Sequence, residues 1–237
     1  MKQYRIQLAD HNTGENIIDA GGVCYVAQAG LPTKAALLDS TGASISNPVA
    51  LTNGKLDFYV ADTVLTVDLY LQAPSGHFVT VSGVKPSGPN EIRIDKNQRI
   101  NTWKIPFDIA DTTAAVETDT GFDIPANAMV LGVGVGVLVD TVDATETIDV
   151  GILSGEAGGD ANGFMATLDV AAAVFAKATL ASAGQTLGAL LTADESGAGV
   201  LVPEGFVGDG TAESVSYTLT AGTDTAAGFI EFPVMIP

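Results

Sequence analysis

Apolar residues recur at every second position along almost the whole of this 237-residue chain, and almost nowhere at the spacing of an amphipathic helix. Tyr4/Ile6/Leu8, Leu56/Phe58/Val60, Leu65/Val67/Leu69/Leu71 and Ile92/Ile94 each fall on one side of an extended segment in the first half. Ile148/Val150/Ile152, Val215/Tyr217/Leu219 and Ile230/Phe232/Val234/Ile236 do so in the second. Turn signals divide the early segments: Asn12-Thr13-Gly14, Asp39-Ser40-Thr41-Gly42, Thr52-Asn53-Gly54 and Pro74-Ser75-Gly76. Short strands separated in this way predict an all-β chain of antiparallel sandwiches. The Ala-rich stretch between Phe164 and Phe175 leaves room for one short helix, ended by Gly184 and Gly188.

Charge divides the chain in two. Residues 1–104 hold nine Lys/Arg and nine Asp/Glu, whereas residues 105–237 hold Lys177 alone against nineteen acids, 1 − 19 = −18, the whole net charge. Such a step predicts two domains, residues 1–100 and residues 101–237, each long enough to bury its own core and to fold independently. An anionic surface repels phosphate and anionic lipid heads, so nucleic acid and membrane are not expected partners. The N-terminus, Met1-Lys2-Gln3-Tyr4-Arg5, lacks the apolar core of a signal peptide, and the apolar run Met129–Val139 is too short for a bilayer helix. Between the halves, Arg93, Lys96, Arg99 and Lys104 accompany Asp95, a basic junction that reads as a solvated linker strand or as a docking segment for an acidic neighbour. Trp103 in the junction is expected to cap one domain's core.

In Met129–Val139 one side reads Met129, Leu131, Val133, Val135, Val137, Val139 and the other Val130, Gly132, Gly134, Gly136, Leu138. Three glycines on one side weaken a strand unless something packs flat against the bare backbone. This predicts a neighbouring sheet or subunit there.

Two resemblances follow from particular residues. Leu37-Leu38-Asp39-Ser40-Thr41-Gly42, Asn47-Pro48-Val49 and Thr52-Asn53-Gly54-Lys55-Leu56-Asp57-Phe58-Tyr59-Val60 resemble the Ig-like or transthyretin-like modules of phage virion and bacterial surface proteins. Gly121–Ala128, Ile148–Leu153 with Asp160-Ala161-Asn162-Gly163-Phe164, and Ser214–Ile230 resemble the jelly-roll-like domains of tailed-bacteriophage capsid decoration, or cement, proteins. The resemblance implies a structural virion protein made in the host cytoplasm. It would sit on the capsid surface against the major capsid protein as a homo-oligomer, a trimer being favoured. A tail-fibre or baseplate receptor-binding module is the alternative.

Chemistry is sparse. A nucleophilic triad needs Ser or Cys beside a His that an acid orients. The second half has neither His nor Cys, and the first has His11, His77 and Cys24, two turn-side imidazoles and a thiol expected in the core. A His/Cys metal site is excluded by count. Asp149, Glu156 and Asp160 border a Gly-rich loop that could turn oxygen ligands toward Ca²⁺, although the spacing is not that of an EF-hand. The expectation is therefore no catalytic residues, no cofactor and no specific metal site.

Overall fold

The computed structural model describes residues 1–18, 21–30, 32–86, 89–108, 115–139, 146–170, 175–177, 189–194, 201–203, 206–207, 210–219 and 227–237. Among these it is a β-protein without an α-helix, as the alternation predicts.

The first half contains β1 (Lys2–Asp10), β2 (Val23–Gln28), β3 (Leu37–Leu38), β4 (Ser44–Ile45), β5 (Val49–Ala50), β6 (Lys55–Val60), β7 (Val67–Gln72), β8 (Phe78–Val84) and β9 (Pro89–Ile94). They form two facing sheets. Sheet A runs β4-β3-β6-β1-β9 and sheet B runs β5-β2-β7-β8, every pairing antiparallel except β1 with β9. Tyr4, Leu8, Phe58 and Leu37 from sheet A meet Cys24, Val26, Leu69 and Leu71 from sheet B in one apolar core. The turn signals hold. Thr52 and Lys55 exchange both backbone hydrogen bonds around Asn53-Gly54, each with positive φ. Only glycine fits at Gly54, because a Cβ there would stand 2.0 Å from the Ile17 carbonyl oxygen. Asn47 explains part of its motif: its amide donates to the carbonyls of Val26 and Ala35 and accepts from Val26 N–H at 3.0 Å, standing in for a strand beside β2. Leu65 departs from its expected face. It lies before β7 and is 71% exposed.

The second half contains β10 (Ile100–Asp108), β11 (Thr118–Ile124), β12 (Met129–Val130), β13 (Gly134–Val139), β14 (Thr147–Ile152), β15 (Met165–Asp169), β16 (Phe175–Lys177), β17 (Thr192–Asp194), β18 (Leu201–Pro203), β19 (Phe206–Val207), β20 (Glu213–Leu219) and β21 (Ala227–Met235). The nine-residue β21 organises sheet C, pairing with β10 on one side and with β12 and β13 on the other; β19 and β16 extend it. Sheet D runs β11-β20-β14-β15. Trp103, Ile105, Phe107, Phe232 and Val135 face Phe122, Val150 and Val215 across this second core.

The Ala-rich segment corrects the helix reading. Met165–Asp169 and Phe175–Lys177 are strands, and Ala189–Leu191 is one 3₁₀ turn; residues 171–174 and 178–188, with Gly184 and Gly188, lie outside the described residues. Met129–Val139 is also two strands rather than one, broken at residues 131–133.

No described strand of one half pairs with a described strand of the other, yet side chains join the halves. Every residue of β7 is buried. Val67, Leu69 and Leu71 enter the first core, while Tyr70 joins the second together with Tyr25 and Phe78. Phe78 stacks on Trp103 with centroids 6.0 Å apart and lies 5.4 Å from Phe122. Trp103 is wholly buried, stacked on a ring of the first half within the second core. The Gln72 amide donates to the Asp123 carbonyl and accepts from Asp123 N–H at 3.1 Å, and Asn101 accepts from Phe78 N–H at 2.9 Å.

Candidate interaction surface

The residues that could carry chemistry are engaged in holding turns and edges. Cys24 is buried in the first core, where burial pushes its thiol far above the usual range, so it is a poor nucleophile. Against expectation, His77 is buried rather than on a surface turn: Nδ1 lies 3.0 Å from Ser75 Oγ and Nε2 3.0 Å from the Gln98 carbonyl. His11 is exposed. The fold brings both imidazoles to one shallow cleft of about 310 Å³ with Arg93 and Asp95, a grouping that sequence separation hides; Cys24 does not line it.

The acids of the proposed Ca²⁺ loop do not converge. Asp149 accepts from Thr167 N–H at 2.6 Å, and Asp160 accepts from Asn162 N–H at 3.3 Å. Glu156 turns instead to Ser214, accepting from its N–H at 2.9 Å. The described residues contain no cluster of three or more His, Cys, Asp or Glu fit to hold a metal. The loop is clamped back on β14 at Gly151, where a Cβ would fall 1.9 Å from the Asp160 carbonyl oxygen. Within the loop Gly159 serves the same close backbone approach, its Cβ position lying 2.2 Å from the Leu153 carbonyl oxygen.

Sheet D's outer side carries a ladder of carboxylates and serines. Glu117 accepts from Ser154 N–H at 2.9 Å and from the hydroxyls of Ser154 and Ser216 at 2.5 and 2.7 Å. Burial raises the Glu117 pKa, but these three bonds outweigh it and hold the carboxyl below its ordinary value. Ser214 Oγ lies 3.0 Å from Asp123 Oδ1 and 2.8 Å from Glu156 Oε1. One hydroxyl proton serves one carboxylate, so the second contact is favourable only when a carboxyl carries a proton. Asp123 is the group held above the usual range. Burial of its carboxyl is the main cause; the Ser214 bond opposes it, and the charges of Asp119 and Glu156 add to it.

Sheet C's outer side differs in kind. The cross-strand register sets Ile100, Met235, Met129 and Val207 in one row, and three of them are exposed: Ile100 at 54%, Met235 at 36% and Val207 at 51%. A second row sets Pro106, Phe229, Gly136 and Phe175 side by side. Pro106 is buried and Phe229 packs on Tyr70 of the first half at 5.2 Å, so this row is exposed only toward Phe175, with Leu138 exposed nearby. Between them Lys104 Nζ meets Glu231 Oε1 at 2.8 Å. The glycines expected to meet a flat neighbour lie here. Phe175 comes over Gly136, 3.3 Å from where a Cβ would stand, whereas Gly132 has nothing within 4 Å. A hollow of about 470 Å³ opens on either side of Phe175, one lined by Thr102, Leu131, Gly132 and Pro233, the other by Lys104, Gly136, Leu138 and Phe229.

No protein-family model and no curated protein matches the chain. Solved structures that match include T=1 particles derived from infectious bursal virus, at 10% identity and TM-score 0.27, over 92% of this chain and 51% of that one. They also include the Gx strain of infectious bursal disease virus, at 14% and 0.25, over 99% and 55%. A VP2 subviral particle of infectious bursal disease virus matches at 11% and 0.26, over 99% and 71%. The chain spans about half the length of the first two. Likeness at this level carries no argument about role.

Proposed function

We propose that this chain is a structural virion protein, a capsid decoration protein that acts as a homo-oligomer on the capsid surface. The observation that carries the reading is the division of labour between the two outer sheet faces. Sheet D is polar and acidic, with its carboxylates tied to serines and backbone; sheet C is apolar and exposed at Ile100, Met235, Val207, Leu138 and Phe175. A protein of this build works by area. It adds buried contact across neighbouring subunits, while its anionic side keeps particles apart at low salt. The resemblance of residues 105–237 to decoration proteins supports the same reading and implies a trimer.

The test is a panel of substitutions scored for particle binding and for melting temperature together. Alanine at His11, His77, Cys24, Asp149 or Asp160 is expected to leave capsid binding nearly intact wherever the fold survives. Phe58→Ala or Phe232→Ala, at wholly buried positions, should cost about 3–5 kcal/mol of stability and lose binding with it. A single polar substitution that abolishes function in a fully folded protein would overturn the mechanical reading. Labelled protein found on tail fibres or baseplates instead of the capsid would turn it into an adhesion module.

A further inference from the structure

We infer that the outer face of sheet C is a self-association surface on which a second copy of this chain seats, sheet face to sheet face. This deepens the reading of the chain as an assembling structural protein.

Shape supports a second copy. Phe175 is 51% exposed and stands as a knob between two hollows of about 470 Å³ each. A face that carries both knob and hollow can receive its own image, the ring of each copy entering a hollow of the other. The size is sufficient. Four strands at about 4.8 Å spacing, along a β21 of nine residues, give a footprint on the order of 600 Å² per copy. Two such footprints, about 1,200 Å² together, exceed the roughly 1,000 Å² expected of a specific interface.

Charge excludes the alternatives. Residues 101–237 contain two cations, Lys104 and Lys177, and both lie in strands of this sheet, β10 and β16. Glu231 is the one acid in the rows described above. Elsewhere this half repels its like; here two copies approach with little repulsion, and Lys104 and Glu231 offer opposite charges to the facing copy. Seating sheet C on sheet D of another copy would press the apolar rows against Asp119, Asp123 and Asp149, with the desolvation penalty that implies. A phosphate-bearing partner meets the field of the remaining acids.

Face-to-face pairing is two-fold. It yields an even number of chains, a dimer, or a hexamer where a three-fold contact also operates.

Light scattering on the purified full-length chain should return such an even mass. Phe175→Glu should weaken association about tenfold or more with circular dichroism and melting temperature unchanged. Lys104→Glu and Glu231→Lys should each weaken self-association, the first facing acid with acid and the second cation with cation. Mixed together, the two variants should associate again as mixed pairs. That recovery distinguishes a face meeting itself from any other contact, and it survives should Phe175→Glu fail to fold. A monomeric unmodified chain, an odd mass, or a mass unchanged by all three substitutions overturns the inference. So does a Glu231→Lys chain that associates more tightly, since it would mean the face binds an acidic surface. These masses are read on the isolated chain, whereas the virion reading is tested on the particle, by location and by the panel of polar substitutions.

Discussion

Asp123 ties three features of the molecule together. Its backbone is gripped by Gln72 from the other half, its carboxyl reaches Ser214, and Asp119 and Glu156 press charge on it. The fold therefore favours its protonated form. Protonation binds more tightly in the folded state, so stability increases as pH falls from neutral through the raised pKa. The gain is complete below the unfolded value near ~3.9. Glu117 runs the other way: its folded pKa is lowered, so its contribution is present above about 4.3 and is lost as pH falls through the folded value. The melting temperature should accordingly rise as pH falls from 7 through the raised Asp123 pKa, and fall at more acid pH as Glu117 takes up its proton. Asp123→Asn keeps the backbone bonds to Gln72 and removes the charge, so it should melt higher than the unmodified chain at pH 7 and show a flatter rise. Parallel melting curves for the two proteins across that range would show that Asp123 is not the group responsible.

At the scale of the element, β7 shows what the sequence reveals and what it hides. Val67-Asp68-Leu69-Tyr70-Leu71-Gln72 alternates as a half-buried strand should, and the apolar positions do enter the first core. Nothing in that pattern says that the other face is buried too. Asp68 is buried because it accepts from Gly30 N–H at 2.8 Å and Gly83 N–H at 2.7 Å, and Gln72 because it meets Asp123, partners 15 to 51 residues away in sequence. Turns such as Asn53-Gly54 were legible because their chemistry is local. The strands Met165–Asp169 and Phe175–Lys177, at the ends of the Ala-rich stretch, were not, since each is short and is set by pairing with β14 and β13 rather than by a local pattern. The candidate site divides likewise. The glycine face of Met129–Val139 marked the open side of sheet C, but the rows from β10, β16 and β19 that complete it exist only after folding. Gln72→Leu removes both bonds to Asp123 and should cost about 1–3 kcal/mol in chemical denaturation. A change within ±0.5 kcal/mol would mean water replaces the amide at that seam.

For the whole molecule, the charge step and the shared core make opposite demands. Residues 101–237 carry 2 − 19 = −17 formal charges, and residues 1–100 carry 8 − 9 = −1. Repulsion inside the acidic half opposes its compact form and is screened over about 10 Å at 0.1 M salt. The halves nevertheless meet through Phe78, Trp103, Phe122 and Tyr70, so neither fragment keeps all of its contacts alone. Expressed separately, residues 1–98 and 99–237 should each show a β-type spectrum and a cooperative melt, both at lower temperature than in the intact chain, because the Tyr70 face and Trp103 become exposed. Raising salt from about 0.05 to 0.5 M should then lift the melting temperature of the acidic fragment clearly and of the neutral one little. Millimolar Mg²⁺ and Ca²⁺ should act alike on the acidic fragment, since Asp149, Glu156 and Asp160 do not form a common site. A saturable response to Ca²⁺ alone, abolished by Asp160→Asn, would show that the loop closes on the ion after all. Equal salt responses in the two fragments would mean that the charge is already neutralised locally, carboxylate by carboxylate, through bonds of the kind Glu117 makes.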